Sequence, residues 1–117
     1  MAITKGNRDV RPNFTQMISF KCTDPEKLIE MAMEWDRNQA SADIMGFMGQ
    51  HILAERERPD HYVIIAEFGV VDPNVSAVEE AERNNDRPET QEFARKLREI
   101  CDGEPEYHNY DEFYRTG

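Results

Sequence analysis

Residues 62–68 have the sequence Tyr-Val-Ile-Ile-Ala-Glu-Phe, and this stretch decides the fold. Its side chains are β-branched, aromatic or small, and Glu67 is the only charged one. A short, almost continuous apolar run that ends at a glycine, here Gly69, is typical of a strand buried on both faces. A strand with one wet face would alternate apolar and polar residues instead. The stretch therefore predicts a β-strand in a sheet that is covered on both sides.

Two more strands are predicted on the N-terminal side of this one. Residues 56–60 contain Pro-Asp and favour a turn, so residues 46–56 before them form the other arm of a hairpin. Simple alternation places four residues of that arm on one face: Phe47, Gly49, His51 and Leu53. Residues 14–22 also alternate, and one face carries Phe14, Gln16, Ile18, Phe20 and Cys22. Both segments have the period of a strand.

Helices are predicted between these strands and after them. Asp24 can cap a helix that has Pro25 in its first turn, and apolar residues then recur at helical spacing as far as Trp35. A second helix starts with a capping box at Ser76 and Glu79. Polar residues interrupt it at 84–87, and it resumes at Pro88 and continues to about residue 101. Residues 107–114 supply a last, acidic edge strand.

The predicted order is β-α-β-β-α-β, which indicates an α+β, ferredoxin-like fold with helices on one sheet face. Residues 14–117 are expected to form a single domain, preceded by a flexible N-terminal segment at 1–13. A second copy of the chain is the economical cover for the other sheet face, which predicts a homodimer joined through the sheet faces. A monomer with one solvent-facing sheet surface is the alternative.

The charge balance argues against two classes of partner. The 117 residues include 24 acidic and 14 basic ones, for a formal net charge of -10. Proteins that grip nucleic acid use clustered Lys and Arg, and anionic membranes attract the same clusters, but here basic residues are interspersed with acids. No nucleic acid or membrane partner is expected. The polar start of the chain lacks the apolar run of a signal peptide, so a cytoplasmic location is expected.

The residues that carry metal, cofactor or nucleophile chemistry are sparse. His51, His61 and His108 do not have metal-ligand spacing, and the glycines form no nucleotide-binding loop, so no metal or cofactor is predicted. Cys22 and Cys101 both fall on apolar faces, which favours buried, unreactive thiols over a nucleophile or a disulfide framework.

Three segments resemble the dimeric α/β-barrel superfamily: Asp-Pro at 24–25, Gly-Phe-Met-Gly at 46–49 and Glu-Phe-Gly at 67–69. Within it, residues 81–93 with Cys-Asp-Gly at 101–103 look most like the antibiotic biosynthesis monooxygenase-like branch. The resemblance spans roughly residues 14–110. It implies a homodimer with facing sheets and, in each subunit, a pocket between helices and sheet.

The activities implied by the resemblance differ in what they need from the chain. The family includes cofactor-independent oxygenases of polyphenols, haem-degrading oxygenases, small isomerases and members without known activity. Haem degradation is disfavoured, because residues 76–101 contain no histidine to serve as axial ligand. A cofactor-independent oxygenase needs only a flat apolar pocket, groups that stabilise a substrate anion, and a base.

His51 is the candidate base, because an imidazole titrates near neutral pH, and Asn85 is a candidate amide donor to a substrate oxygen. A partly buried histidine bonded to a carbonyl, and an asparagine that caps a helix, are the competing structural interpretations. The candidate substrate-binding residues are Trp35, Phe47, Met48, Arg56 and Tyr62. The predicted function is that of an oxygenase-like enzyme acting on a small aromatic or quinol substrate. The alternative is a non-catalytic protein that binds a small apolar ligand or serves in a stress response.

Overall fold

A computed structural model describes residues 13–39, 46–72 and 74–116. The predicted N-terminal segment at 1–13 lies outside the described residues except for Asn13. The seven elements are β1 (Phe14–Lys21), α1 (Pro25–Gln39), β2 (Phe47–Ala54), β3 (His61–Phe68), α2 (Ala77–Asn85), α3 (Pro88–Ile100) and β4 (Glu106–Asp111). The α+β, ferredoxin-like fold predicted from the sequence is confirmed. Among the described residues, no helix has the length and apolar character needed to cross a bilayer.

The four strands form one antiparallel sheet in the order β2-β3-β1-β4. β1 and β3 pair along their full lengths, from Phe14 opposite Phe68 to Lys21 opposite His61. β4 is the edge strand beside β1, and all six of its residues are exposed. Because β1 and β3 are central, the apolar stretch at 62–68 lies in the middle of the sheet.

The helices cover one face of the sheet, here called the inner face. The inner face carries alternate residues of each central strand, and its core includes Phe20, Ile64 and Phe68, all at most 5% exposed. Leu28 and Met31 of α1 and Leu97 of α3 pack against Phe20 and Ile64. On the outer face, Val63 and Ile65 are only partly buried in the single chain. The prediction that β3 is covered on both sides is therefore met on the inner face alone.

Both predicted helix starts are present. The Asp24 carboxylate accepts a hydrogen bond from the Lys27 amide at 3.0 Å, and the Ser76 hydroxyl accepts one from the Glu79 amide at 3.1 Å. The interruption predicted at residues 84–87 is present but shorter, because α2 continues through Asn85 and only residues 86–87 separate it from α3, which has Pro88 in its first turn. The caps at Asp24 and Ser76 and the proline at position 88 thus mark the starts of the three helices.

A β-bulge in β2 overturns the face assignment made from simple alternation. Phe47 pairs with Phe68 and Gly49 with Glu67, so Met48 is an extra residue between them. Gly49 has a φ of 148°, a conformation that favours glycine. The extra residue moves Phe47 to the inner face, whereas His51 stays on the outer face. Phe47 and His51 therefore do not share a side of the sheet.

Candidate functional site

A cavity of about 290 Å³ lies between the inner sheet face and helices α2 and α3. The strands supply its floor, the helices supply its roof, and Trp35 of α1 closes one side. Most of its surface is apolar, with amide and hydroxyl groups between the apolar side chains. The lining residues are Gln16, Ile18, Trp35, Gln50, Ile64, Ala66, Asn84, Asn85, Thr90, Gln91, Phe93, Ala94, Leu97 and Tyr107.

The floor of the cavity contains a row of residues, here called the amide row, that runs across all four strands. Strand register places Gln50 and Gln16 on either side of Ala66, and Asn109 of β4 beyond Gln16. The Gln16 amide donates to Asn109 Oδ1 at 3.3 Å, and the Gln50 amide donates to Asp36 Oδ1 at 2.9 Å. Because Ala66 is small, it leaves open space between two amide-bearing side chains.

The rows on either side of this amide row are apolar or aromatic. One contains Ile52, Ile64 and Ile18, and the other contains the phenylalanines 47, 68 and 14. A flat molecule on this floor would contact hydrocarbon on both sides and amides in the middle. The arrangement suits an apolar ring system that carries oxygen atoms at its edges.

The roof is held by hydrogen bonds that join α1 to the α2–α3 junction. The Trp35 indole nitrogen donates to Thr90 Oγ1 at 3.0 Å, and the Thr90 hydroxyl donates to Asn84 Oδ1 at 3.5 Å. Arg87 donates to the same Asn84 oxygen and to the Asn38 carbonyl oxygen, each at 3.4 Å. Asn84 is only 5% exposed, so these bonds satisfy a buried amide oxygen.

The cavity presents almost no charge to a ligand. Among the described residues that line it, Tyr107 is the one with a titratable side chain. Tyr107 is 46% exposed, and partial desolvation raises the pKa of its hydroxyl above the ordinary value of 10.0. The hydroxyl is therefore protonated at neutral pH and can donate a hydrogen bond. Recognition in this cavity depends on neutral donors and acceptors.

A second cavity of about 380 Å³ adjoins the first, and Gln16 and Asn85 line both. It lies between α2 and the strands β1 and β4. Unlike the first cavity, it carries two carboxylates, those of Glu82 and Asp111. The amides of Gln16 and Asn85 thus stand between an uncharged chamber and an acidic one.

Neither a protein-family model nor a characterised protein matches this sequence. Several solved structures match the fold. SnoaB, a cofactor-independent oxygenase from Streptomyces nogalater, is 19% identical with a TM-score of 0.68, over 91% of this chain and 96% of SnoaB. An antibiotic biosynthesis monooxygenase is 7% identical with a TM-score of 0.64, over 85% of this chain and 97% of its own. A conserved protein from Methanosarcina mazei Go1 is 11% identical with a TM-score of 0.70, over 90% and 97%.

The chain shares its fold with solved structures of antibiotic biosynthesis monooxygenases. The family resemblance predicted from the sequence is therefore confirmed at the level of the fold. The matching proteins include a cofactor-independent oxygenase and a conserved protein whose name gives no activity. A fold shared at such low identity does not choose between these functions, so the choice rests on the site itself.

The structure brings two of the seven predicted site residues to the cavity. Trp35 is 6% exposed and forms the side wall, and Asn85 lies at the boundary between the two cavities. Phe47 lies behind Trp35, with the two ring centroids 5.1 Å apart at a steep angle. It supports the wall of the cavity and is not among the lining residues.

The other four predicted residues lie elsewhere. His51 is exposed on the outer sheet face, because the bulge at Met48 separates its face from that of Phe47. Met48 is itself 55% exposed. Tyr62 stacks on Phe20 at the far end of the inner face, with a centroid distance of 6.3 Å. Arg56 is exposed in the turn between β2 and β3.

Sequence reasoning missed the amide row. Alternation puts Gln16 on the same face of its strand as Ile18 and Phe20, so it is a polar side chain within an otherwise apolar stripe. A polar residue at such a position is a sign of a site, because burial of an amide costs free energy unless it has a partner. Gln50 carried no such signal, because only the bulge and the strand register place it in line with Gln16.

Proposed function

We propose that this protein is a cofactor-independent monooxygenase-like enzyme whose substrate is a small aromatic or quinol molecule bound in the cavity between sheet and helices. One observation carries the proposal: a mostly apolar chamber with an amide row across its floor and no charged lining residue in the described part of the chain. Such a chamber fits a flat, oxygen-bearing ring system and would not accept a strongly charged metabolite.

The proposed reaction needs few catalytic groups from the protein. An electron-rich phenol or hydroquinone, once deprotonated, can itself supply electrons to molecular oxygen. When a ring C–H of a phenol becomes a carbonyl and the product is a quinone, one oxygen atom enters the substrate and the other leaves as water with the ring hydrogen and the hydroxyl hydrogen. The chain's part is to exclude bulk water, orient the ring and stabilise the developing oxyanion with N–H and O–H donors.

The described residues suggest a role for each wall of the cavity. The amides of Gln16 and Asn85 can donate to a substrate oxyanion at the boundary of the two cavities. Trp35 offers an aromatic surface against which a ring can pack. The carboxylate of Glu82 or Asp111, in the neighbouring chamber, can accept a proton through water. His51 stays a predicted base that lies outside the cavity of its own chain.

One observation favours a second function, the binding of a small apolar ligand without chemistry. Among the described lining residues of the main cavity there is no imidazole and no carboxylate, the two groups that most often act as general bases. A carrier or sensor of the same ligand would need only the apolar walls and the amides.

A single preparation can distinguish the two functions, because Trp35 is the only tryptophan and lines the cavity. Titration with a panel of phenols, hydroquinones and quinones should change its fluorescence, and an oxygen electrode should record uptake with the same compounds. Fluorescence change with oxygen uptake supports the enzyme, and a change without uptake supports the binder. If no panel member alters either signal, both functions are overturned.

Asn85→Ala is the matching variant for the enzyme. Loss of one oxyanion donor should lower the turnover number by about a hundredfold, since such donors contribute on that scale. Glu79→Ala, a change of an exposed residue on the same helix, is the control. Unchanged turnover in Asn85→Ala would remove this residue from the mechanism. His51→Ala tests the predicted base in the same assay.

We propose in addition that two copies associate through their outer sheet faces. The support is the apolar content of that face, which includes Met17, Val63 and Ile65 on the central strands and Leu53 on the edge strand β2. Leu53 is 49% exposed, and a monomer would leave this patch in water. Light scattering should give twice the monomer mass. Ile65→Lys should produce monomers, while Met33→Lys, at an exposed position of α1, should not.

A further inference from the structure

The two cysteines, 79 positions apart in the chain, face each other in the fold. Cys22 follows β1 and Cys101 follows α3, and together they form an isolated antiparallel bridge. The Thr23 amide donates to the Ile100 carbonyl oxygen at 3.0 Å, and the Asp102 amide donates to the Lys21 carbonyl oxygen at 2.9 Å. These two hydrogen bonds attach the end of α3 to the sheet.

The positions of these hydrogen bonds define the geometry of the pair. Both bonds join the neighbours of the cysteines and not the cysteines themselves, so Cys22 and Cys101 form a non-hydrogen-bonded pair. Facing residues in such a pair have side chains on the same side and Cα atoms about 4.5 Å apart. A disulfide requires a Cα separation of roughly 4.4–6.8 Å. The backbone therefore already satisfies the main requirement for a disulfide.

The surroundings of the two thiols differ. Cys22 is completely buried, and its sulfur accepts a hydrogen bond from the Asp24 amide at 3.4 Å. Cys101 is only partly buried, at the edge of the core. Desolvation raises the pKa of both thiols, that of Cys101 to about 11, and each stays protonated at neutral pH. Because Cys101 is the more exposed thiol, an oxidant reaches it first. The reaction of Cys101 is faster at alkaline pH, where more of the thiolate is present.

We propose that Cys22 and Cys101 are an oxidative modification site, at which the folded chain closes an intramolecular disulfide. With a peroxide as oxidant, the Cys101 thiol first becomes a sulfenic acid and one water is released. The Cys22 sulfur then displaces the sulfenic oxygen as a second water and forms the S–S bond. In total the two thiols lose two electrons and two protons, and the peroxide is reduced to two waters.

The disulfide would act on the cavity through α3. Phe93, Ala94 and Leu97 of this helix line the cavity, and Cys101 lies directly after the last residue of the helix. A covalent bond from Cys101 to Cys22 would fix that end of the helix against β1. The proposal does not depend on the proposed activity, since it concerns only the two thiols and the strand pairing.

The test is oxidation of the native protein with hydrogen peroxide at mildly alkaline pH, followed by non-reducing mass spectrometry. The expected product has lost two hydrogens, has no free thiol, and yields one peptide pair that links Cys22 to Cys101. The near-ultraviolet circular dichroism should stay native. The melting temperature should rise by roughly 5–15 °C, because the bond constrains a long loop of the unfolded chain. Reduction with dithiothreitol should reverse the rise.

Cys101→Ser and Cys22→Ala are the control variants, and neither should show the rise in melting temperature after peroxide treatment. The proposal is overturned if the wild-type protein accumulates sulfinic acid at Cys101 while Cys22 keeps its thiol. It is also overturned if the only disulfides join different chains, or if the bond forms only in urea. The wild-type measurement requires no substitution, so a poorly folding variant cannot obscure the result.

Discussion

The indole nitrogen of Trp35 donates a hydrogen bond to the Thr90 hydroxyl at 3.0 Å. This bond joins α1 to the first turn of α3. The Thr90 hydroxyl in turn reaches Asn84, the buried amide at the end of α2. Three helices thus meet at one hydroxyl group, which holds the roof of the cavity in place.

Thr90→Val should weaken that junction. The substitution keeps the shape of the side chain and removes both hydrogen bonds, leaving the Trp35 indole nitrogen and Asn84 Oδ1 each with one partner fewer. We expect the free energy of unfolding to fall by about 1–3 kcal/mol, measured by urea denaturation. The tryptophan emission should shift as well. Thr116→Val, at an exposed position, is the control. Equal stability of both variants would mean that the junction contributes nothing.

Ala66→Leu should close the cavity without breaking the fold. The larger side chain would project between Gln16 and Gln50 into space that the alanine leaves open. We expect ligand affinity, followed by Trp35 fluorescence, to fall at least about tenfold, which corresponds to a loss of about 1.4 kcal/mol. Ala54→Leu, at the exposed end of β2 on the same face, is the control. Wild-type affinity in Ala66→Leu would place the ligand in a different cavity.

Gln16→Leu should separate recognition of oxygen from recognition of the ring. Leucine has nearly the same volume but cannot donate to a ligand oxygen. Affinity for a naphthoquinol should fall by roughly two- to tenfold, the equivalent of one hydrogen bond, while affinity for naphthalene should not fall. Parallel fluorescence titrations with the two compounds would measure this. An equal loss for both would indicate a packing defect.

Gly46→Ala should destabilise the edge of the sheet. A Cβ atom at this position would lie 2.8 Å from the carbonyl oxygen of Gly69 and would also collide with the side chain of buried Glu80. We expect a loss of about 1–3 kcal/mol in the free energy of unfolding. Adding Glu80→Ala should recover only part of the loss, because it removes the contact with Glu80 Cγ but keeps those with the Cβ atom of residue 80 and with the Gly69 carbonyl oxygen, each at 2.8 Å. A fully stable Gly46→Ala would show that the backbone here can move at little cost.

Stability should fall in the alkaline range partly because of Cys101. Burial raises the pKa of this thiol from its ordinary value of 9.0 to about 11, so the folded state holds the proton more tightly than the unfolded state. The resulting stability is complete below pH 9.0 and is lost as the pH rises through about 11. Urea denaturation across this range should show a shallower decline in Cys101→Ala than in the wild type. Parallel declines would contradict the raised pKa.

Local patterns were sufficient to predict most elements of the fold. The apolar run at 62–68, the Asp24–Pro25 helix start and the interruption at 84–87 each predict an element that the structure contains. These signals are local, because periodicity, capping and proline geometry act over a few residues. The general position of the cavity, between helices and sheet, is implied by the family resemblance and not by these local signals.

The bulge, the amide row and the cysteine pair depend on which residues become neighbours in space. One extra residue at Met48 moves Phe47 to the inner face and leaves His51 on the other. The register of three strands places Gln50, Ala66 and Gln16 in one line, and the end of α3 brings Cys101 opposite Cys22. Alternation of side chains is a property of each strand alone. Register and bulges are set by the packing of the whole sheet against its helices, so only the tertiary structure decides the lining of the site.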